Sequence, residues 1–144
     1  MRAVSDEILG PFAGQLAGGR IGAPGAALVL AEWRDAGGGS EPPLYIAPLH
    51  VHHEDDEAWY VLEGALTVRS GEQDVLVEAG GAILVPRGTP HTYWNPRPHP
   101  TRYLLVMTPR IASLIESLHA LEPRNADTVA ATFAGHASEY LGWP

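Results

Sequence analysis

The sequence predicts an all-β sandwich or barrel followed by a helical C-terminal segment, and three observations carry that prediction. Short apolar segments recur roughly every 8–12 residues through the middle of the chain, the spacing of small antiparallel β domains. Between them, 16 glycines and 13 prolines punctuate 144 residues, a density suited to many tight turns. Apolar residues at helical spacing occur only after Thr108.

Each element follows from local chemistry. Segment 26–33 (AALVLAEW) is an apolar strand closed by the loop 35–43, DAGGGSEPP. Strands are expected next over 45–52 and, after an acidic turn, 58–62. Glu63-Gly64 turns into 65–69, where Leu66 and Val68 share one face. SGEQ (70–73) is a hairpin turn into 74–78, with Val75 and Val77 on one face, and 79–81 turns into 82–85. After PRGTP come strands at 91–95 and 102–107, separated by NPRPHP. Thr108-Pro109 is an N-cap followed by proline at the first helical position. Ile111, Leu114, Ile115, Leu118 and Leu121 then predict an amphipathic helix over 109–121. Its apolar face packs on the barrel or on a second subunit. A second helix is expected over 128–134, capped by Asp127 and stopped by Gly135. The chain reads as one domain, residues 1–144, with a β core over about 26–108 and a helical extension over about 109–144.

Composition excludes several chemistries. All nine basic residues are arginine and there is no cysteine. Schiff-base lysines, P-loops, thiol nucleophiles, disulfides and cysteine-ligated metals are therefore ruled out. The net charge of −8 argues against nucleic acid, which requires basic patches. MRAVSDEILG lacks the basic-then-apolar pattern of a secretory leader, and no apolar run reaches the roughly 18 residues of a membrane span. A soluble cytoplasmic protein without membrane contact is expected.

The chemistry lies in a scattered set of histidines and one glutamate. His50 and His52 are two residues apart, so in a strand both imidazoles face the same way. Glu57 follows after an acidic turn; if its strand pairs with the first, its carboxylate meets the two rings. His91, behind the rigid PRGTP loop, supplies a fourth donor. Three imidazoles and one carboxylate form a mixed site for one divalent transition metal: iron, manganese, nickel, copper or zinc. An octahedral ion would keep about two positions open for water, substrate or dioxygen.

These runs resemble a known family. HVHHEDDEAWYVLEG has the spacing of the first cupin motif: His50-x-His52, four residues, Glu57, six residues, Gly64. GGAILVPRGTPHTYWN is similar to the second: Gly80, five residues, Pro86-x-Gly88, two residues, His91, three residues, Asn95. The chain departs from the pattern at Leu44, where a glycine often precedes the first motif. The resemblance implies a jelly-roll β-barrel (double-stranded β-helix), commonly a homodimer, with the metal on His50, His52, Glu57 and His91. The later helix and the final SEYLGWP are similar to the small single-domain bacterial cupin 2 proteins of the quercetin-dioxygenase-like group.

Other residues take lesser parts. His53 points to the opposite face, towards solvent. Glu54, Asp55 and Asp56 are expected to form a solvated turn. His99, His119 and His136 are expected to be structural. Trp59 and Tyr93 alternate with Glu57 and His91, so both face indoors, as substrate-stacking groups or as barrel core. Tyr93 is a candidate proton or hydrogen-bond donor and Glu57 a candidate base. The resulting expectation is a metal-dependent, dioxygenase-like enzyme acting on a small organic molecule. The alternatives are a metal-dependent isomerase, cyclase or lyase, or a non-catalytic cupin that binds a small ligand.

Overall fold

The computed structural model describes residues 13–144; MRAVSDEILG, on which the reading against a leader rests, lies outside the described residues. Among the described residues, ten strands and two helices follow in order. They are β1 (Arg20–Ile21), β2 (Val29–Asp35), β3 (His50–His52), β4 (Glu57–Glu63), β5 (Ala65–Ser70), β6 (Gln73–Glu78) and β7 (Ala82–Val85). After them come β8 (His91–Trp94), β9 (Thr101–Met107), α1 (Pro109–His119), α2 (Ala126–Ala134) and β10 (Ser138–Tyr140). The strands form two five-stranded sheets, β1-β2-β9-β4-β7 and β10-β3-β8-β5-β6, with antiparallel pairings. This is the jelly-roll, mostly β with two C-terminal helices. Among the described residues no helix is long and apolar enough to cross a membrane.

Period-2 patterning explains which faces meet. Along β4, Glu57, Trp59 and Val61 are buried, whereas Tyr60 and Leu62 are exposed. Along β9, Thr101, Tyr103, Leu105 and Met107 alternate inward. Leu66 and Val68 of β5 and Val77 of β6 complete the core from the facing sheet. The outer face of the first sheet is also apolar: Leu30, Val106, Ala58 and Leu84 lie in register across four strands.

Four expectations shift. The strand expected over 26–33 is β2 and begins at Val29, because the 23–26 turn, closed by Ala26 N–H to Ala23 O, delays it. The expected strand 45–52 shrinks to His50–His52. Pro48 has no N–H to donate, and the segment before it joins β8 through an isolated antiparallel bridge, Tyr45 to Trp94. Ile46 N–H donates to Tyr93 O, Thr92 Oγ1 donates to Ala47 O, and Tyr45 packs edge-on against Trp94. All four residues of β8 are buried, flanked by β3 and this segment on one edge and by β5 on the other. Helix α2 starts two residues early with Asn125 as its cap in place of Asp127. Asn125 Oδ1 accepts from Thr128 N–H, and Asn125 N–H donates to Thr128 Oγ1. Finally, 138–140 forms a strand on the edge of β3 that no alternation announces in so short a segment. Helix α1 is capped by Thr108, as its sequence predicts.

Candidate metal centre

Two turns aim the donor residues. Gly88 has φ +82°, a left-handed conformation that costs glycine little, and its N–H donates to the His52 carbonyl at 2.7 Å. The loop bearing His91 is thereby tied to the strand bearing His52. Gly64, at φ +79°, closes β4 where a Cβ would come within 2.6 Å of the Pro100 carbonyl oxygen. The acidic turn is braced from both sides. Asp56 accepts from the Arg87 backbone and guanidinium, and Arg110 of α1 reaches Glu54 at 2.6 Å and Asp55 at 3.4 Å. Asp55 is buried, which corrects its assignment to solvent; Glu54 and Asp56 are exposed as expected.

His50, His52, Glu57 and His91 come together, all buried, with one donor atom from each lying within 4.8 Å of the others. The route differs from the expected one. Strand β4 does not pair with β3 but lies in the opposite sheet, between β7 and β9. Glu57 therefore meets the histidines across the barrel interior, with Oε2 2.9 Å from His52 Nε2 and 3.5 Å from His91 Nε2. His50 and His91 are direct cross-strand partners. Donors around a cation held at roughly 2.0–2.2 Å are about 3 Å apart when adjacent, which these separations approach.

The hydrogen bonds behind the rings decide what can sit between them. His50 Nδ1 donates to the Pro48 carbonyl at 2.7 Å and His91 Nδ1 to the Thr89 carbonyl at 2.9 Å. Ser138 Oγ gives its own proton to the His136 carbonyl, so it accepts from His52 Nδ1 at 2.7 Å. All three rings thus carry a proton on Nδ1 and turn Nε2 inward. Glu57 Oε2 and His91 Nε2 are buried without a hydrogen-bond partner among the described residues. Burial, followed by the neighbouring His91 and His52, lowers the His50 pKa to about 3, so this ring is neutral near neutral pH. Four inward donor atoms, three imidazole nitrogens and one carboxylate oxygen, fit a metal ion.

His50, His52 and Glu57 of this cluster form the floor of a cavity of about 480 Å³, roofed by α1 and α2. Its walls are mostly apolar, with Ile111 and Leu114 from α1 and Phe133 from α2. Phe133 lies against His50, ring centroids 5.2 Å apart. Tyr93 is on the wall and shares a 2.9 Å hydrogen bond with Tyr103; burial pushes both phenols well above their usual range. Tyr93 is thereby a neutral hydrogen-bonding group. Trp59 packs behind the wall, against His91 and Tyr93, as barrel core. His53 faces solvent as expected; its Nε2 is 3.5 Å from Glu139. His119, expected to be structural, lies edge-on to Trp33 and also borders the cavity. Sequence reasoning missed Ser138, Phe133 and Arg124, which all approach from the C-terminal segment. The signal available for Ser138 was the similarity of SEYLGWP to related tails.

The Cupin domain family model matches residues 35–107. A curated relative, Oxidoreductase iacF of Pestalotiopsis fici, is 36% identical over 55 residues, 38% of this chain and 26% of the relative. The chain therefore spans about a quarter of that protein. Among solved structures, a Thermus thermophilus protein superposes with a TM-score of 0.50 at 30% identity, over 58% of this chain and 73% of the other. A sugar phosphate isomerase of the cupin superfamily from Silicibacter pomeroyi has a TM-score of 0.50 at 25% identity, over 58% and 51%. The Schizosaccharomyces pombe Cnp3 cupin domain shares the fold alone, with a TM-score of 0.53 at 12% identity over 72% and 68%.

Proposed function

This chain belongs to the cupin domain family, and on that premise we propose that it is a metal-dependent oxygenase acting on a small organic substrate. The observation that carries the reading is the convergence of four buried donors, three of which line the floor of a ligand-sized cavity. The curated relative named an oxidoreductase supports redox chemistry over other uses of the same site. A divalent ion held by His50, His52, Glu57 and His91 would acidify a substrate oxygen and support its reaction with dioxygen.

The chain supplies the rest. Glu57 accepts the substrate's proton on a carboxylate oxygen, and Tyr93 donates a hydrogen bond while keeping its own proton. Ile111, Leu114 and Phe133 keep water away from the floor. Metal-loaded protein is expected to consume oxygen with at least one of flavonols, catechols, β-diketones or cysteine-like thiols, and His91→Ala to abolish that uptake. No metal-dependent uptake with any of them ends the oxygenase reading.

A second reading, a metal-dependent isomerase, is favoured by the likeness to the protein named a sugar phosphate isomerase. Among the described residues Arg124 is the one arginine on the cavity wall, which argues against a phosphate-rich substrate. Turnover under strict anaerobiosis separates the two readings. The proposal includes a homodimer formed through the apolar outer face of the first sheet, and a monomer in sedimentation at micromolar concentration would remove that part.

A further inference from the structure

We infer that Arg124 anchors an acidic group of the substrate at the cavity mouth, so that the site selects small organic anions with an apolar body. The inference rests on the floor of the same cavity being the reactive end.

Three observations carry it. First, all but one of the other described arginines are committed. Of the eight described, six form ion pairs with carboxylates: Arg20, Arg69, Arg87, Arg97, Arg102 and Arg110. Arg124 has no carboxylate partner among the described residues, although acids outnumber bases 17 to 9 in this chain. Second, Arg124 is placed. It is exposed yet lines the cavity, so it stands where the cavity opens. Its Nη2 donates to the Leu118 carbonyl at the end of α1, which holds the guanidinium across the α1–α2 connection. That is its one side-chain hydrogen bond among the described residues, and a guanidinium offers five N–H donors in a planar fork matched to a carboxylate. Third, the wall between mouth and floor is poor in charge. Leu105, Ile115, Leu118 and Val129 give an apolar substrate body contact without ionic partners. Glu57, the cavity's acidic side chain, lies at the floor with the histidines. A ligand that fits both ends presents an oxygen donor inward and an anion outward.

The test is calorimetric binding of benzoate and 3-phenylpropanoate, with benzamide and 3-phenylpropanamide as uncharged counterparts, to the metal-loaded protein and to protein stripped by a chelator. Both acids are expected to bind about tenfold or more tightly than their amides. R124Q should erase that preference and R124K keep part of it. R34Q, at the other described arginine without a carboxylate partner among the described residues, exposed on β2, should leave it intact. Acids that bind no better than amides, or no binding of either pair at millimolar concentration, overturn the anchor. An R124Q variant that keeps the preference overturns it as well. The preference should survive metal removal; a protein that fails to take up metal when loaded but still selects acids through Arg124 sinks the oxygenase reading and leaves the anchor standing.

Discussion

The floor and the mouth of the cavity share one space but are built by different parts of the chain and different forces. The floor is made of strand residues on opposite sheets, each imidazole fixed from behind by an oxygen acceptor. The mouth is made of helices that stay in place through apolar packing, with Phe133 and Leu114 buried beneath them. A centre locked by hydrogen bonds tolerates little displacement, whereas a packed roof can change its lining without moving the donors. The barrel therefore sets what chemistry is possible, and the C-terminal segment sets what reaches it.

The largest expected effect comes from removing a donor. His91→Ala should lower retained metal after dialysis by more than the roughly hundredfold affinity loss typical of a supporting residue, because a ligand itself is lost. Elemental analysis checks this, and full metal content in the variant would dissolve the distinction between floor and mouth. Phe133→Ala attacks the other side. A large buried aromatic removed from the roof should cost about 3–5 kcal/mol of unfolding stability, while the metal content of the folded protein stays near the parent value. Loss of metal together with stability would show that the roof, through the contact of Phe133 with His50, also holds the floor.

Ser138→Ala sharpens the comparison, because Ser138 belongs to the C-terminal segment yet serves the floor. Without its oxygen, His52 Nδ1 loses its buried acceptor, and metal affinity should fall about 10–100-fold with the ligand set unchanged. A competition titration against a chelator measures this, and an unchanged affinity would mean that strand pairing alone orients the ring.

That division also explains what could be read in advance. His50-x-His52, Glu57 and His91 were legible because strand alternation and motif spacing are local, and the jelly-roll followed from the turns between short apolar segments. The path of Glu57 to the histidines was not legible, since a donor can arrive by pairing or by crossing the interior, and spacing is the same for both. Ser138 and Arg124 were hidden for a related reason. Their roles depend on where a helical extension folds back, and neither lies in a pattern whose period reveals a partner 86 residues away, as His52 is from Ser138. Asp55 looked like a turn acid because the Arg110 that faces it in the fold lies far along the chain.

The smallest effect separates the wet end of the cavity from the dry one. Burial raises the phenols of Tyr93 and Tyr103, so their neutral forms are favoured in the folded state. Their contribution to stability is complete below the ordinary tyrosine value near 10 and is lost as pH rises above it, because the unfolded chain ionises first. An ultraviolet titration of the folded protein should therefore stop short of all five tyrosines, with the missing phenolates appearing only as the fold is lost. Tyr103→Phe removes the hydroxyl partner of Tyr93 but leaves it buried, so Tyr93 should still resist ionisation. Reversible ionisation of Tyr93 in the folded protein would mean that water reaches past the apolar wall. In that case Tyr93 becomes an acid able to release a proton, and the contrast between a sealed floor and an open mouth gives way to a cavity wet along its length.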